Sequence, residues 1–275
     1  MMNIFDLLLP AGLTTAALVT YLIFFRKSPT KKGPYRSPGW NYPLKLLVAR
    51  WAVRRWKSQR NTTFQTDDAP HSINMPEGLD SISIKASSPQ GAAILIGIRK
   101  LFGRKPIAEV TLHVKLSDGS AYKLLQHPDS AVGTWESTDG SWNAGGLKIQ
   151  VLEQNKNMRV IFNGLVTKVG DNTVHHAKFN AIWVSATRSV RYPEDWSNEL
   201  AAEALALEPW RDGDWPNLLD KWEDGSWMQW GVVQGRFQVF TQGEVSTSEY
   251  LQVRGAKERS WSPHGYQGIR RSVGI

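Results

Sequence analysis

The sequence predicts a mainly β protein, an antiparallel β-barrel or sandwich, preceded by one transmembrane helix and a basic amphipathic helix. Three observations carry that expectation. An uncharged apolar run fills the N-terminal region, apolar and polar residues alternate from about residue 78, and Gly, Asn or Asp separates the alternating runs. A period of two marks half-buried strands, and regular turn signals between many short runs mark a barrel or sandwich. No strand–helix–strand alternation appears, which excludes doubly wound nucleotide folds.

The apolar run comes first. Leu7 to Phe25 holds nineteen residues without a charge, enough to cross a hydrocarbon core at about 1.5 Å per residue. Ten of them are Leu, Ile, Val or Phe, worth on the order of −3 to −6 kcal/mol of insertion before the Thr, Pro10 and Gly12 penalties. No basic segment precedes the run, so residues 1–27 are expected to stay as an anchor and not to be cleaved as a signal peptide. Every nearby positive charge follows the run, which places residue 26 onward in the cytosol. The Asn61-Thr62-Thr63 glycosylation triplet points the other way.

Residues 28–66 form a basic linker and helix. Ser28 to Pro43, rich in Pro, Gly and basic residues, is expected to be extended. Leu44 to Lys57 then reads as a helix with Leu44, Leu47, Val48 and Trp51 on one face. Arg50, Arg54 and Lys57 gather elsewhere, so Trp51 and the apolar face would enter lipid while these bases meet phosphates. Arg55 intrudes on the apolar face. The competing expectation is a helix packed on the protein's own core.

Charge supports the same division. Residues 1–66 carry eleven Lys/Arg and one acid, a net of +10, while the remainder carries a net of −2. The basic character therefore belongs to the membrane-proximal arm and leaves the folded part without a nucleic-acid footprint. An anionic lipid surface is the better match. Cysteine is absent, which excludes disulfides, thiolate metal sites and Cys nucleophiles. No cofactor or metal is expected.

Strand patterns follow at Ser81–Ile84, Glu109–Leu116, Leu147–Leu152, Met158–Phe162, Val174–Val184, Val232–Phe240 and Ser246–Val253, with Asp118-Gly119 as a turn. They divide into a first β unit at 78–192 and a partial second one at 226–275. Between them, residues 193–225 break the pattern. Trp196–Ala206 reads as a helix with Ser197 as N-cap, followed by a stretch rich in Trp, Asp and Gly. The second unit is expected to be incomplete, since two strands cannot stand alone in water. Thirteen Trp in the chain fit either a ligand cavity or a Trp-rich core.

Nucleophile elbows, zinc-protease helices and dinucleotide fingerprints are missing, and Gly103-Arg104-Lys105 reads as a basic turn. His175 and His176 lie in one strand, so their rings point to opposite faces and cannot share a metal. The densest polar-aromatic group is Arg254 to Trp261, followed by His264. At strand spacing Arg254, Glu258 and Ser260 share one face, and Lys257, Arg259 and Trp261 the other. Glu258 directed into a barrel among Trp rings would be a proton donor; otherwise it belongs to a structural ion pair. Arg254, Ser260, Trp261, His264, Trp142, His176, Asn180 and Trp183 are the residues expected around an apolar ligand.

Arg254-Gly255-x-Lys257-Glu258-x-Ser260-Trp261 resembles the R-G-x-R-D-x-S-W-G element of the tandem lipocalin-like barrel family. That family includes AttH-type proteins and carotenoid hydratases related to hydroxyneurosporene synthase. Here Lys257 and Glu258 stand where Arg and Asp are usual, and Ser262 replaces the last Gly. The resemblance implies a lipocalin-like fold and, through Glu258, acid catalysis on an isoprenoid-like lipid.

A longer resemblance runs through Tyr35–Trp40, Asp118-Gly119, Ala144–Leu147, Phe162–Leu165, Leu200–Leu207, Glu208–Arg211 and Gln229–Gly231. In that order they resemble the membrane-tethered N-terminal region of animal phosphoenolpyruvate-synthase-like, or rifampicin-phosphotransferase-like, proteins. In those proteins a nucleotide-grasp domain and a swivelling phospho-histidine domain follow. The resemblance implies an accessory or binding domain whose partners are the bilayer, an apolar ligand, and a downstream catalytic domain.

Overall fold

The computed structural model describes residues 12–21, 39, 41–59, 67–71, 78–102, 107–125, 131–132, 140–192, 194–208, 210 and 225–262. The glycosylation triplet, the Gly103–Lys105 turn, His264 and the Trp-rich residues 211–224 lie outside them. The chain divides into a helical unit, residues 1–64 with 193–223, and a β unit, residues 65–192 with 224–275.

In the helical unit, α1 spans 12–21, α2 Tyr42–Gln59 and α3 Asn198–Leu207. The remainder of the predicted span at 7–25 lies outside the described residues. Among the described residues, no helix is long and apolar enough to cross a membrane. Helix α3 starts where Ser197 accepts a hydrogen bond from Leu200 N at 3.1 Å, an N-cap legible in the sequence. Its Ala201, Ala202, Leu205 and Ala206 are buried, as are Ala49, Ala52, Val53 and Trp56 of the adjoining α2. Alanines on both sides let the two helices pack closely.

Among its described residues, the β unit holds twelve antiparallel strands. They are β1 Leu79–Ser87, β2 Ala93–Leu101, β3 Ile107–Lys115, β4 Ala121–Leu124, β5 Ala131–Val132 and β6 Trp142–Ala144. Then come β7 Leu147–Glu153, β8 Asn157–Lys168, β9 Val174–Ser185, β10 Val190–Tyr192, β11 Gly225–Thr241 and β12 Glu244–Ser262. Eight of these, in the order β1-β2-β3-β4-β8-β9-β11-β12, close into a barrel. The seam joins β12 to β1, with Ser83 opposite Glu258, while β9 joins β11 with Val233 opposite Trp183. One side of β8 is shared, with β4 pairing its end and β7 its beginning.

Among the described residues, 226–262 of the expected second β unit do not form a separate unit. β11 and β12 fill the gap between β9 and β1 and complete the first barrel. Two strands left apart would expose both edges, and the unpaired edges of β9 and β1 offer them partners; closure removes all four.

Inward positions alternate with outward ones along every long strand. Ile82, Ile84, Ile96, Val110, Leu112, Ile149, Val160, Phe162, Phe179, Trp183, Val233 and Phe237 expose 0–1 % of their surface. A lumen able to hold a ligand would leave accessible surface on the side chains around it. These walls have essentially none, so Trp183 is core and not cavity lining. Close packing also demands glycine. A Cβ at Gly231 would lie 2.5 Å from the Trp183 ring, and one on the opposite Gly255 would overlap the Lys85 carbonyl.

Candidate functional site

Strand starts and ends bring the polar residues of the β unit together at one end of the barrel. Asp80 begins β1, Lys100 ends β2, Trp227 begins β11, and Lys257, Arg259 and Trp261 end β12. The run Leu251, Val253, Gly255 sets the inward parity of β12, and Lys257 and Arg259 continue it. Residues 67–71 lie against the same groups and contribute Asp68 and His71.

Two ion pairs form there, with all four charged side chains fully buried. Lys257 Nζ donates to Asp68 Oδ1 at 2.6 Å, and Arg259 Nη1 donates to Asp80 Oδ1. Arg259 also donates to the Ser81 carbonyl at 2.9 Å, the Ala69 carbonyl at 2.6 Å and His71 Nδ1 at 2.8 Å. A guanidinium can only donate, so His71 Nδ1 is the acceptor in that bond. The guanidinium carbon lies 4.5 Å from the Trp142 ring centroid and 5.5 Å from that of Trp227. Both rings present faces that attract a cation.

Asp68 ties further backbone to the layer. It accepts from Asn155 N at 2.9 Å, its carbonyl accepts from Trp142 Nε1 at 2.9 Å, and its N–H donates to Gln154 Oε1. Gln229 Nε2 donates to the Asn155 and Thr187 carbonyls at 2.7 and 2.9 Å. The β7–β8 turn, residues 67–71 and the segment after β9 are thus sewn across one end of the barrel.

Burial shapes the titration of this layer. It lowers the Lys257 ammonium and the Arg259 guanidinium, with Asp68 and Asp80 acting against it. For Asp80, burial pushes the carboxyl up, but bonds from His71 and the Arg259 charge outweigh it and hold the group below its ordinary range. Lys100, directly opposite Asp80 in the β1–β2 register, is lowered by burial to about 8. Two cations and two carboxylates thus neutralise one another out of contact with water.

Sequence-predicted site residues fall in three places. Glu258 faces outward and not into the barrel, half-exposed, accepting from Lys85 Nζ at 2.7 Å. Its face is the one opposite the inward run set by Leu251 and Val253, which corrects its expected aim at a cavity. Arg254 and Ser260 share that outer face, while Trp261 faces Asp80 and lies 5.1 Å from the His71 ring. Trp142 and Trp183 are core, and Asn180 is exposed and accepts from Arg159 Nε at 3.3 Å.

At the other end of the barrel His176 borders an open groove of about 540 Å³. Leu165, Val174, His175, Lys178, Phe240 and Thr241 complete its walls. The Phe240 ring lies 5.4 Å from His176, and the Lys178 ammonium sits 5.1 Å from the same ring. His175 lines the same groove, its Nε2 2.8 Å from Thr173 Oγ1 and its Nδ1 3.4 Å from Thr241 Oγ1. Among the described residues, no group of three or more His, Asp or Glu is placed to hold a metal ion.

On α2, Trp51 and Arg54 are exposed. Arg50 Nε instead donates to Glu199 at 2.7 Å. Lys57 turns away from any lipid-facing position, donating to the Glu194 carbonyl at 3.1 Å and to that of Trp196, and burial lowers its pKa. The carbonyls ahead of α3 draw its ammonium towards the helix pair.

One family model matches residues 13–274, described as a family of unknown function, DUF8627. The chain belongs to this family. The match takes in every strand of the barrel as well as α2 and α3. No curated protein matches the chain. The matched residues thus span both the barrel and the helical unit, and the family carries no assigned activity.

Proposed function

We propose that the chain is a single-pass, membrane-anchored, lipocalin-like binding module whose β unit faces the cytosol, an accessory and not a catalyst. Its ordered resemblance to the N-terminal region of phosphoenolpyruvate-synthase-like proteins supports a role beside a downstream phosphotransferase-like domain. One observation carries the preference for binding over catalysis. The buried charges are consumed in closing one barrel end, whereas the accessible groove at the other joins apolar walls to an exposed ammonium.

Apolar surface with one basic group suits an amphiphile with an acidic head. Leu165, Val174 and Phe240 would take the hydrocarbon, and Lys178 the acid. Fluorescent fatty-acid titration of the detergent-solubilised full chain tests this. Saturable binding, weakened at least about tenfold by Lys178→Glu or Phe240→Glu, is the expected outcome. Binding that ignores both substitutions would exclude the groove, and no saturable binding would leave the module as a docking partner for protein alone.

A further inference from the structure

Helix α2 has two unlike sides. Ala49, Ala52, Val53 and Trp56 are sealed against α3, so the helix already has its protein core. Away from it, Leu44, Leu47 and Trp51 are 37, 61 and 60 % exposed, at i, i+3 and i+7 along one stripe. Large apolar side chains aligned on a helix that needs no further core mark a surface for something else.

Charge identifies the occupant. α2 contains Lys45, Arg50, Arg54, Arg55 and Lys57 and no acid. Lys45 is spent on the Glu208 carbonyl and the Trp210 ring, Lys57 on carbonyls before α3, and Arg50 on Glu199. Arg54 and Arg55 remain exposed beside the stripe, with the Arg55 guanidinium 5.6 Å from the Trp51 ring. Residues 1–66 as a whole, α2 included, carry a net +10. α1, described over residues 12–21, exposes Leu13, Leu18 and Tyr21.

We infer that α2 lies on the surface of an anionic bilayer. Leu44, Leu47 and Trp51 sit at the headgroup–acyl boundary, and Arg54 and Arg55 contact lipid phosphates or carboxylates. Trp at that depth keeps its ring apolar and its N–H wet. The inference rests on the anchored reading only in that the chain must reach a bilayer; it names the lipid class and the contacting face.

The absence of cysteine permits a direct test. Leu47→Cys in the full chain is labelled with an environment-sensitive fluorophore and reconstituted into nanodiscs of phosphatidylcholine, with or without phosphatidylserine. Thr173→Cys, on an exposed barrel turn, is the reference position. The expected result is a blue shift and doxyl-lipid quenching at 47 but not at 173. Both signals require phosphatidylserine and fall several-fold when Arg54→Glu and Arg55→Glu are added. A water-exposed probe in anionic discs would overturn the inference, as would equal burial in both lipids. Shielding already complete in lipid-free amphipol would mark a protein contact and overturn it too. Alkaline extraction separates the two ideas. A chain that resists extraction while position 47 stays wet keeps the anchor and loses the inference, and the reverse pattern does the opposite.

Discussion

Arg259 and Asp80 meet across the junction of β12 and β1, where the last strand of the barrel closes against the first. Their bond also gathers residues 69 and 71 around the same guanidinium. Removing one partner strands a buried charge, so Arg259→Met or Asp80→Leu alone should cost about 3–5 kcal/mol. Together the two should cost less than the sum of the singles. Denaturant unfolding followed by tryptophan emission, with Trp142 and Trp227 reporting beside the guanidinium, measures both quantities.

Acid should loosen the same junction. The Asp80 carboxyl is held below its ordinary range when folded. Its contribution is therefore complete above the unfolded value of about 3.9 and is lost as pH falls through the lower folded one. Unfolding midpoints measured from pH 6 downward should decline steeply, and Asp80→Asn, though less stable at neutral pH, should flatten that limb.

Lys100 predicts a second rise with pH, on the alkaline side. Burial lowers it from 10.5 to about 8 in the folded chain, so between those values the unfolded state binds more protons. Stability should rise across that window by about 1–2 kcal/mol, less than the full shift because solvent at the barrel end screens the ammonium. Lys100→Met should abolish the rise between pH 7.5 and pH 9.5 in chemical denaturation.

Glycine spacing on β11 and β12 predicts a graded cost. Gly255→Ala and Gly231→Ala place a methyl onto the Lys85 carbonyl and the Trp183 ring, respectively. Each should destabilise by about 2–4 kcal/mol. Gly97→Ala meets Ser83 Cβ at 3.1 Å and should cost less. Thermal unfolding of the three variants ranks them.

Glu258→Gln tests the acid-catalyst alternative. The Lys85–Glu258 pair is exposed on both sides, so its loss should change stability by about 0–1 kcal/mol. If the substitution abolishes a hydratase or isomerase turnover of an isoprenoid-like lipid while folding is retained, the outward carboxylate is catalytic after all.

Much of the barrel was legible in the sequence because outward polar residues marked its period. Every strand segment expected from alternation falls on an observed strand, with Leu116 alone lying one residue past the end of β3. β2 was not legible, since Leu95 and Gly97 put no polar side chain on its outer face and leave Ala93–Ile98 an unbroken apolar run. The closed topology was hidden by residues 193–223, which separate β10 from β11 and made the last hairpin look like a new beginning. At the site, the two faces of β12 were separated correctly, but the wrong one was aimed inward. Leu251 and Val253 held the missing parity, because a buried Lys and Arg can follow apolar residues on one face only when carboxylates await them. Asp68 and Asp80 come from far along the chain, and local pattern carries no sign of such partners.

The pairing of Tyr192 with Ser226 makes the molecule separable in an unexpected place. Deleting residues 1–64 alone would remove α2 and leave the buried side of α3 bare to water. Yet β10 and β11 already run as antiparallel neighbours, with residues 193–224 lying between them in the chain. A two-residue Asn-Gly turn from Tyr192 to Ser226 would excise α3 along with the N-terminal segment and keep every strand pair of the barrel beyond Gly225. The molecule thus carries a natural suture. Along it, the barrel and the helix pair can be parted and asked separately what each one binds.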